Sequence, residues 1–365
     1  MSEMVRLGDV CEKGSSNIAQ KDLEGHDGDY PIYGASGFIK NVDFFKQNKE
    51  YIAVVKDGAG IGRVMKLPAK SSIIGTLQYI IPCGGIDIGY LAFAMENMNL
   101  AKYFSGATIP HIYFKDYSKE KLLLPPLPEQ RRIAAVLDKV SELIALRKRQ
   151  LDLLDEMVKA RFVEMFGDLI VNNLNWSQVQ LSNVATTRLG KMLDAKKQTG
   201  KNTYPYLANF NVQWFQFKLD NLNQMDFDES DQIEFALEYG DLLVCEGGEV
   251  GRCAVWKNQV NNCFFQKALH RIRCDKSIII PDYLAWWFKV HANYNSFDDI
   301  VGSKATIPHL TGIKLKQLMI EVPPIDLQNQ FADFVQQVDK SKATVQQGLD
   351  RLNLLKSALM QEYFG

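Results

Sequence analysis

Two stretches of the chain place mostly apolar residues at alternating steps of four and three. The first reads Ile133, Leu137, Val140, Ile144, Arg147, Leu151, Leu154, Val158, Arg161, Met165. The second, in the same register, reads Phe331, Val335, Val338, Lys342, Val345, Leu349, Leu352, Lys356, Leu359, Tyr363. A stripe with a period of 3.5 residues held over this many turns predicts two coiled-coil helices. Each stretch opens on a proline breaker, Pro125, Pro126 and Pro128 in the first and Pro323 and Pro324 in the second. Pro128 suits a first helical position and Asp326 an N-cap. At 1.5 Å per residue each helix would run for roughly 57 Å, more than a small domain can cover. The two are expected to pair with each other, antiparallel, holding the domains they leave at opposite ends of a rod.

The remaining segments have a different period. Short apolar runs such as "YIAVV", "LQYIIP", "DLLVC" and "ALHRIRC" alternate with glycine turns and predict strands. "DIGYLAFAMENM" and "IPDYLAWWFKVHANY" have helical spacing. The predicted class is α+β, with a first domain over 1–124, a long helix over 125–167, a second domain over 168–322 and a second long helix over 323–365.

This order is a duplication. "ATIPH" occurs at residues 107 to 111 and again at 305 to 309, and the same offset carries "LPPLPEQ" onto "VPPIDLQ" and "MFG" onto the terminal "YFG". Upstream, "DGAGIGRV" matches "EGGEVGRC" and "DYP" matches "TYP". Two related domains at a fixed separation suit a linear target with two sites, of which DNA is the obvious case.

Composition narrows this picture. The chain of 365 residues is 46% hydrophobic, enough for two or three cores, and contains no long apolar run. It reads as a soluble cytoplasmic protein without a membrane segment. The six cysteines lack a CxxC pair and are expected to be reduced and packed rather than metal ligands. With a formal charge of −1, bulk electrostatics do not drive nucleic-acid binding, so positive charge must be focused locally or supplied by a partner.

Catalytic motifs are missing from the sequence: there is no GxGxxG opening a helix, no Walker loop, no GxSxG, no HExxH and no NPPY. "DGAGIGR" reads as a tight hairpin between strands. His111 and His309, each beside a proline, read as packed histidines bonded to backbone carbonyls, with a positional role where domain joins helix. The remaining candidates are polar and basic loop residues. "YPIYGASGFIKN" presents Tyr33, Ser36, Lys40 and Asn41; the glycine hairpins carry Lys56, Arg63 and Arg252. "RLGKMLDAKKQTGKN" supplies Arg188, Lys191, Lys196, Lys197 and Lys201, and "ANFNVQWFQ" supplies Asn211 and Gln213. Amides and arginine forks can read base edges while lysines hold phosphates, so these residues form the expected DNA-binding set, with no metal and no catalytic residue.

Variable domain, "PPLPEQRRIAAVLD" with its long helix, variable domain, "PPIDLQNQFADFV" with its long helix: this order, together with "YPIYGASGFI" and "DGAGIGR", resembles the specificity subunit of type I restriction-modification systems. The second copy departs from the first in having Asp326 and Leu327 where the first has Pro128 and Glu129. The resemblance implies a non-catalytic reader of double-stranded DNA whose two target-recognition domains each bind half of a split asymmetric sequence. It implies two methyltransferase subunits as partners, which carry S-adenosylmethionine and methylate adenines, and two restriction subunits that can join them; this chain itself binds no cofactor. A structural adaptor that spaces two protein-binding domains and binds no DNA needs the same rod and is the alternative.

Overall fold

The computed structural model describes residues 3–106, 110–194, 198–297 and 309–365. The chain divides into two units, Met1–Gln150 with Val345–Gly365 and Leu151–Thr344. Each unit therefore contains part of both long helices.

In the first unit, strands β1 (Glu3–Arg6), β2 (Cys11–Ser15), β3 (Tyr30–Gly34), β4 (Gly37–Val42), β5 (Tyr51–Val55), β6 (Val64–Leu67), β7 (Ser72–Ile73), β8 (Leu77–Pro82) and β9 (Lys121–Leu124) accompany helices α1 (Leu7–Val10), α2 (Ile88–Asn97) and α3 (Phe114–Tyr117). They form an antiparallel sheet β2-β8-β5-β6, a sheet β4-β3-β7 whose β3–β7 pair is parallel, and the pair β1-β9. The long helix α4 (Leu127–Phe166) follows.

The second unit repeats this plan with β10 (Ser177–Gln180), β11 (Ala185–Leu189), β12 (Thr203–Leu207), β13 (Val212–Gln213), β14 (Gln216–Phe217), β15 (Asn223–Asp226), β16 (Leu242–Cys245), β17 (Cys253–Val255), β18 (Phe264–Phe265), β19 (Leu269–Cys274) and β20 (Met319–Val322). Its helices are α5 (Glu229–Phe235), α6 (Pro281–Asn293) and α7 (Gly312–Lys316), and the chain ends in α8 (Ile325–Phe364). The orders β11-β19-β16-β17, β15-β12-β18 and β10-β20 match those of the first unit strand for strand, with β12–β18 again parallel. The hairpin β13-β14 and helix α5 have no counterpart among the described residues of the first unit.

The apolar runs are continuous because their strands are covered on both faces. Ile52 and Val54 of β5 enter a core with α2 and the start of α4, while Tyr51, Ala53 and Val55 enter a second core with Ile32, Val42 and Ile73. In β16, Leu242 and Val244 divide from Leu243 and Cys245 in the same way. All six cysteines are unpaired, and burial pushes the thiols of Cys11, Cys263 and Cys274 up to about 12. These three thiols stay protonated and behave as small apolar side chains.

Both long helices have 40 residues. In the first unit the beginning of α4 lies beside the end of α8: Ile133, Ala134 and Leu137 pack with Leu359, Met360 and Tyr363, and the Arg132 guanidinium sits 5.8 Å from the Tyr363 ring centre. In the second unit the end of α4 lies beside the beginning of α8, with the Phe162 and Phe331 rings 5.2 Å apart and an ion pair between Asp155 and Lys342. The pairing is antiparallel in each. Ile133, Leu137, Val140, Ile144, Val158, Phe331, Val335, Val338, Val345 and Leu349 are buried, while Leu151, Leu154, Leu352 and Leu359 are half-buried. Charged members of the stripe keep their heads in contact with partners at its margin: Lys356 reaches Glu96 at 3.0 Å, and Arg161 pairs with Glu164 at 2.9 Å.

The helix starts differ slightly from expectation. α4 begins at Leu127, one residue before Pro128, and α8 at Ile325, so Asp326 lies inside the first turn rather than at the cap. The reason is that the Pro126 and Pro324 carbonyls already accept the first helical bonds, from Gln130 N at 3.1 Å and Gln328 N at 3.2 Å.

The glutamine of each Pro-Pro-x-x-x-Q motif is a buried latch. Gln130, 1% exposed, donates from Nε2 to the carbonyls of Pro125 (2.8 Å) and Gly85 (3.2 Å) and accepts from Asp87 N (2.8 Å). Gln328, 0% exposed, repeats this with Pro323 O (2.8 Å), Ile278 O (3.1 Å) and Ile280 N (2.9 Å). Each latch ties the start of a long helix to the loop that launches α2 or α6. Gln130→Ala leaves three backbone groups without partners, and at ~1–3 kcal/mol each the cost is expected to reach about 3 kcal/mol or more. Hydrogen exchange of the Asp87 amide checks this, since its protection should collapse in the variant; unchanged protection would mean that the latch is not a structural determinant.

Candidate nucleic-acid interface

Ser36, Lys56, Arg63 and Arg252 sit on turns built the same way in both units, whereas Tyr33, Lys40, Asn41, Arg188 and Gln213 lie in strands. In the first unit, β3 ends at Gly34 and turns through Ala35 and Ser36 into β4. The β5–β6 hairpin lies beside this turn, closed by Gly62 N to Val55 O at 2.8 Å and Val55 N to Arg63 O at 3.0 Å. Gly62 is required there: its φ is +82°, and a Cβ would stand 2.5 Å from Ala101 N. The backbone then delivers Arg63, whose Nη1 donates to Ala35 O at 2.9 Å.

The second unit repeats the device with other side chains. Gly251 has a φ of +81°, and a Cβ there would lie 2.7 Å from the Phe297 ring. Arg252 follows and donates from Nη2 to Asn209 O at 3.1 Å and Asn209 Oδ1 at 2.6 Å. Asn209 in turn donates from Nδ2 to Gly247 O at 2.7 Å, so loop and hairpin are tied twice.

The repeated "IPH" string serves these hairpins. Ile112 N donates to Lys56 O at 3.0 Å and Gly58 N to Pro110 O at 3.1 Å; in the other unit Leu310 N donates to Glu246 O at 2.7 Å. The reading of two packed histidines on backbone carbonyls needs correction. His111 bonds the Asp57 carboxylate, and His309 is exposed beside Gly247. The positional role lies in bracing the hairpin from behind. Ala107, Thr108 and Ile109, and residues 305–308, lie outside the described residues.

The basic candidates are mostly engaged within their own unit. Lys40 pairs with Asp27 at 2.6 Å and Lys56 with Asp57 at 3.1 Å. Arg188 pairs with Glu234, and Lys191 with Asp231 while also donating to Asp226 O at 2.7 Å. Lys201 is exposed, whereas Lys196 and Lys197 lie outside the described residues. Ser36 and Asn41 are exposed at the β3–β4 hairpin, and half-buried Tyr33 meets Phe38 edge to face at 6.1 Å. Gln213 is half-buried and donates to Phe210 O at 2.9 Å. Asn211 is not a base reader: at 0% exposure its Oδ1 accepts from Ala208 N at 2.9 Å and its Nδ2 donates to Lys218 O at 2.8 Å, so both ends of the amide serve the fold. Arg252, bonded to Asn209, has likewise lost the freedom to follow a phosphate.

Two phenylalanines that the loop composition did not single out are exposed near these turns, one in each unit. Phe38 at the β3–β4 hairpin is 59% exposed, and Phe210, in the loop after β12, is 53% exposed. The Lys289 ammonium lies 4.3 Å from the Trp214 ring centre. A phenylalanine amid strand-like residues reads as core from sequence; only its place at a turn reveals otherwise.

Asp226 organises the loop that carries Lys201. Its Oδ2 accepts from Thr199 N, from Thr199 Oγ1 at 2.7 Å and from Gly200 N at 2.9 Å, and its Oδ1 from Thr203 Oγ1 at 3.0 Å. These donors, the Thr199 hydroxyl foremost, hold the carboxyl down at about 2. A lowered pKa gives stabilisation that is present above the ordinary carboxylate range and lost as pH falls from about 4 towards 2. Proteolysis within 198–203 is expected to rise across that window, and Asp226→Asn, which turns an NH2 towards these donors, should be susceptible already at pH 7. A protected loop in that variant would contradict the role.

The model of the family described as "Type I restriction modification DNA specificity domain" matches residues 1–156 and again 173–354. A Haemophilus influenzae protein named as a type I restriction enzyme specificity subunit is 20% identical over 346 residues, which cover 92% of this chain and 87% of that one. The fold is shared with the crystal structure of a type I restriction-modification system S subunit from M. genitalium, at a TM-score of 0.67 and 13% identity over 100% of this chain and 96% of that chain. It is shared also with a chain from a structural study of complex assembly and conformational transition in the type I R-M system, at a TM-score of 0.55 and 17% identity over 100% and 97% of the two chains. Matched along most of its length and twice over, the chain belongs to the type I restriction-modification DNA specificity family.

Proposed function

We propose that this chain is the target reader of a type I restriction-modification complex, each unit recognising one half of a split, asymmetric sequence in double-stranded DNA. One observation carries the reading: the same strand plan occurs twice but presents different side chains after the matching strands β3 and β12, Ser36 in one unit against Asn209 in the other, with the hairpin β13-β14 added in the second. Two copies of one scaffold with different surfaces suit two half-sites of different sequence. Two methyltransferase subunits dock on the chain and methylate adenines with the S-adenosylmethionine that they bind; two restriction subunits complete the endonuclease. This chain performs no catalytic step, binds no cofactor, and works in the cytoplasm, where its target DNA lies.

The ion pairs support a division of labour. Lys40, Lys56, Arg188 and Lys191 are each paired with an acid of their own unit, so these four candidates have less charge to offer phosphates. Titration of labelled duplex DNA at physiological salt tests this. The chain alone should bind weakly and without selectivity, at about 10⁻⁶ M or weaker. Adding methyltransferase subunits should bring site-specific binding to about 10⁻⁸ M or tighter. Sub-nanomolar specific binding by the isolated chain would contradict the division of labour. No binding in either state would favour an adaptor that spaces two protein-binding domains.

A further inference from the structure

We infer that Arg63 and Arg252 are positioning residues for sequence reading rather than phosphate contacts, each fixing the loop that holds an exposed phenylalanine, Phe38 or Phe210, against the bases of its half-site. The inference rests on the DNA-reading function proposed above. It is carried by a bond made independently in each unit: an arginine that follows a left-handed glycine donates to the carbonyl just beyond the matching β3 or β12 strand, at 2.9 Å to Ala35 and at 3.1 Å to Asn209.

A phosphate contact needs a guanidinium free to follow the DNA backbone. Arg252 lacks that freedom, since its side chain is only 16% exposed and also meets Glu249 at 3.4 Å; Arg63 is exposed and is tied through the Nη1 bond to Ala35 O. What the two bonds hold still is the adjacent turn. A rigid turn lowers the entropic cost of presenting a side chain to a ligand. The side chains presented there are apolar rings that the fold leaves outside its cores, 59% exposed at Phe38 and 53% at Phe210. The feature of a base pair that an apolar ring can select in the major groove is the thymine methyl. Each ring is therefore assigned to an A·T pair within its half-site.

The experiment maps adenine methylation on a random-sequence DNA library, using the full chain with its methyltransferase subunits. The unaltered complex comes first. If it yields no bipartite target, the proposed function fails, whatever the variants do. If it does, Arg63→Ala and Phe38→Ala should each relax the base preference at a position of one half-site, and Arg252→Ala and Phe210→Ala at a position of the other. The discrimination lost should be about 5- to 150-fold, the range for one mismatched pair. Arg63→Lys, which keeps a donor, should retain part of it, and the salt dependence of binding should not change.

Uniform weakening on all sequences with a flatter salt dependence and intact preferences would make these arginines phosphate contacts and overturn the inference. Unchanged preferences, or one variant altering both halves, would overturn it as well. If an arginine variant fails to fold, the two phenylalanine variants decide, because their side chains lie outside the cores.

Discussion

Four residues inserted into each long helix where it passes from one unit to the other, after Gln150 and after Thr344, should lengthen the spacer between the two half-sites and leave the half-sites unchanged. One helical turn adds about 6 Å at 1.5 Å per residue. Axial rise in duplex DNA is about 3.4 Å per base pair, so the methylated target should gain about two pairs of unspecified sequence. Both helices must be extended, because the stripes face each other in antiparallel register and an insertion in one alone would slide Leu151, Leu154 and Val158 off their partners. The recognition loops should be untouched, since the ties Arg63 to Ala35 and Arg252 to Asn209 lie far along the chain from either insertion. New half-sites with the old spacer would show that the helices do not set the distance.

Residues 1–167 alone should form a two-fold dimer that, with methyltransferase, recognises an interrupted palindrome. The fragment exposes the stripe that Leu359, Met360 and Tyr363 cover in the whole chain. In the duplicated register Phe162 stands at the place of Met360, Met165 at that of Tyr363 and Phe166 at that of Phe364. A second copy therefore offers side chains of similar size to the start of α4, and antiparallel pairing restores the seam. Arg147 would lose the neighbour it has in the full chain, where Gly348 leaves room beside its Nε, so the dimer is expected to be weaker without a change of geometry. Sedimentation at tens of micromolar and a methylation map check both halves of this expectation. A monomer, or an asymmetric target, would mean that the two helices are not interchangeable.

The helices were the most legible part of the sequence because a period of 3.5 residues held over 40 positions outruns the competing explanation, an amphipathic helix lying on its own domain. Their starts were less so, since proline composition marks a breaker but not which carbonyl receives the first helical bond. The strands β5 and β16 were legible as runs, and their burial on both faces follows from two cores that no local pattern describes. The interface was the least legible part. A lysine in a loop looks free in sequence, yet Lys191 finds Asp231 and Arg188 finds Glu234 across tens of residues, and Asn211, in an amide-rich loop, turns inward to cap the segment that launches β13. The glutamine latches were visible as a motif, but their role needed the loops before α2 and α6 to be in place. Arg63 and Arg252 were found by residue type, as forks able to read base edges; that each bonds a carbonyl of a neighbouring loop could not be read from the sequence.

The central claim is that two units of one chain read two halves of one DNA target for a methyltransferase partner. A methylation map of random-sequence DNA treated with the complex of full chain and methyltransferase subunits tests it most directly. The expected map shows methylated adenines in two different half-sites separated by a spacer of fixed length and no sequence preference; a single uninterrupted target, or methylation without sequence preference, would contradict it.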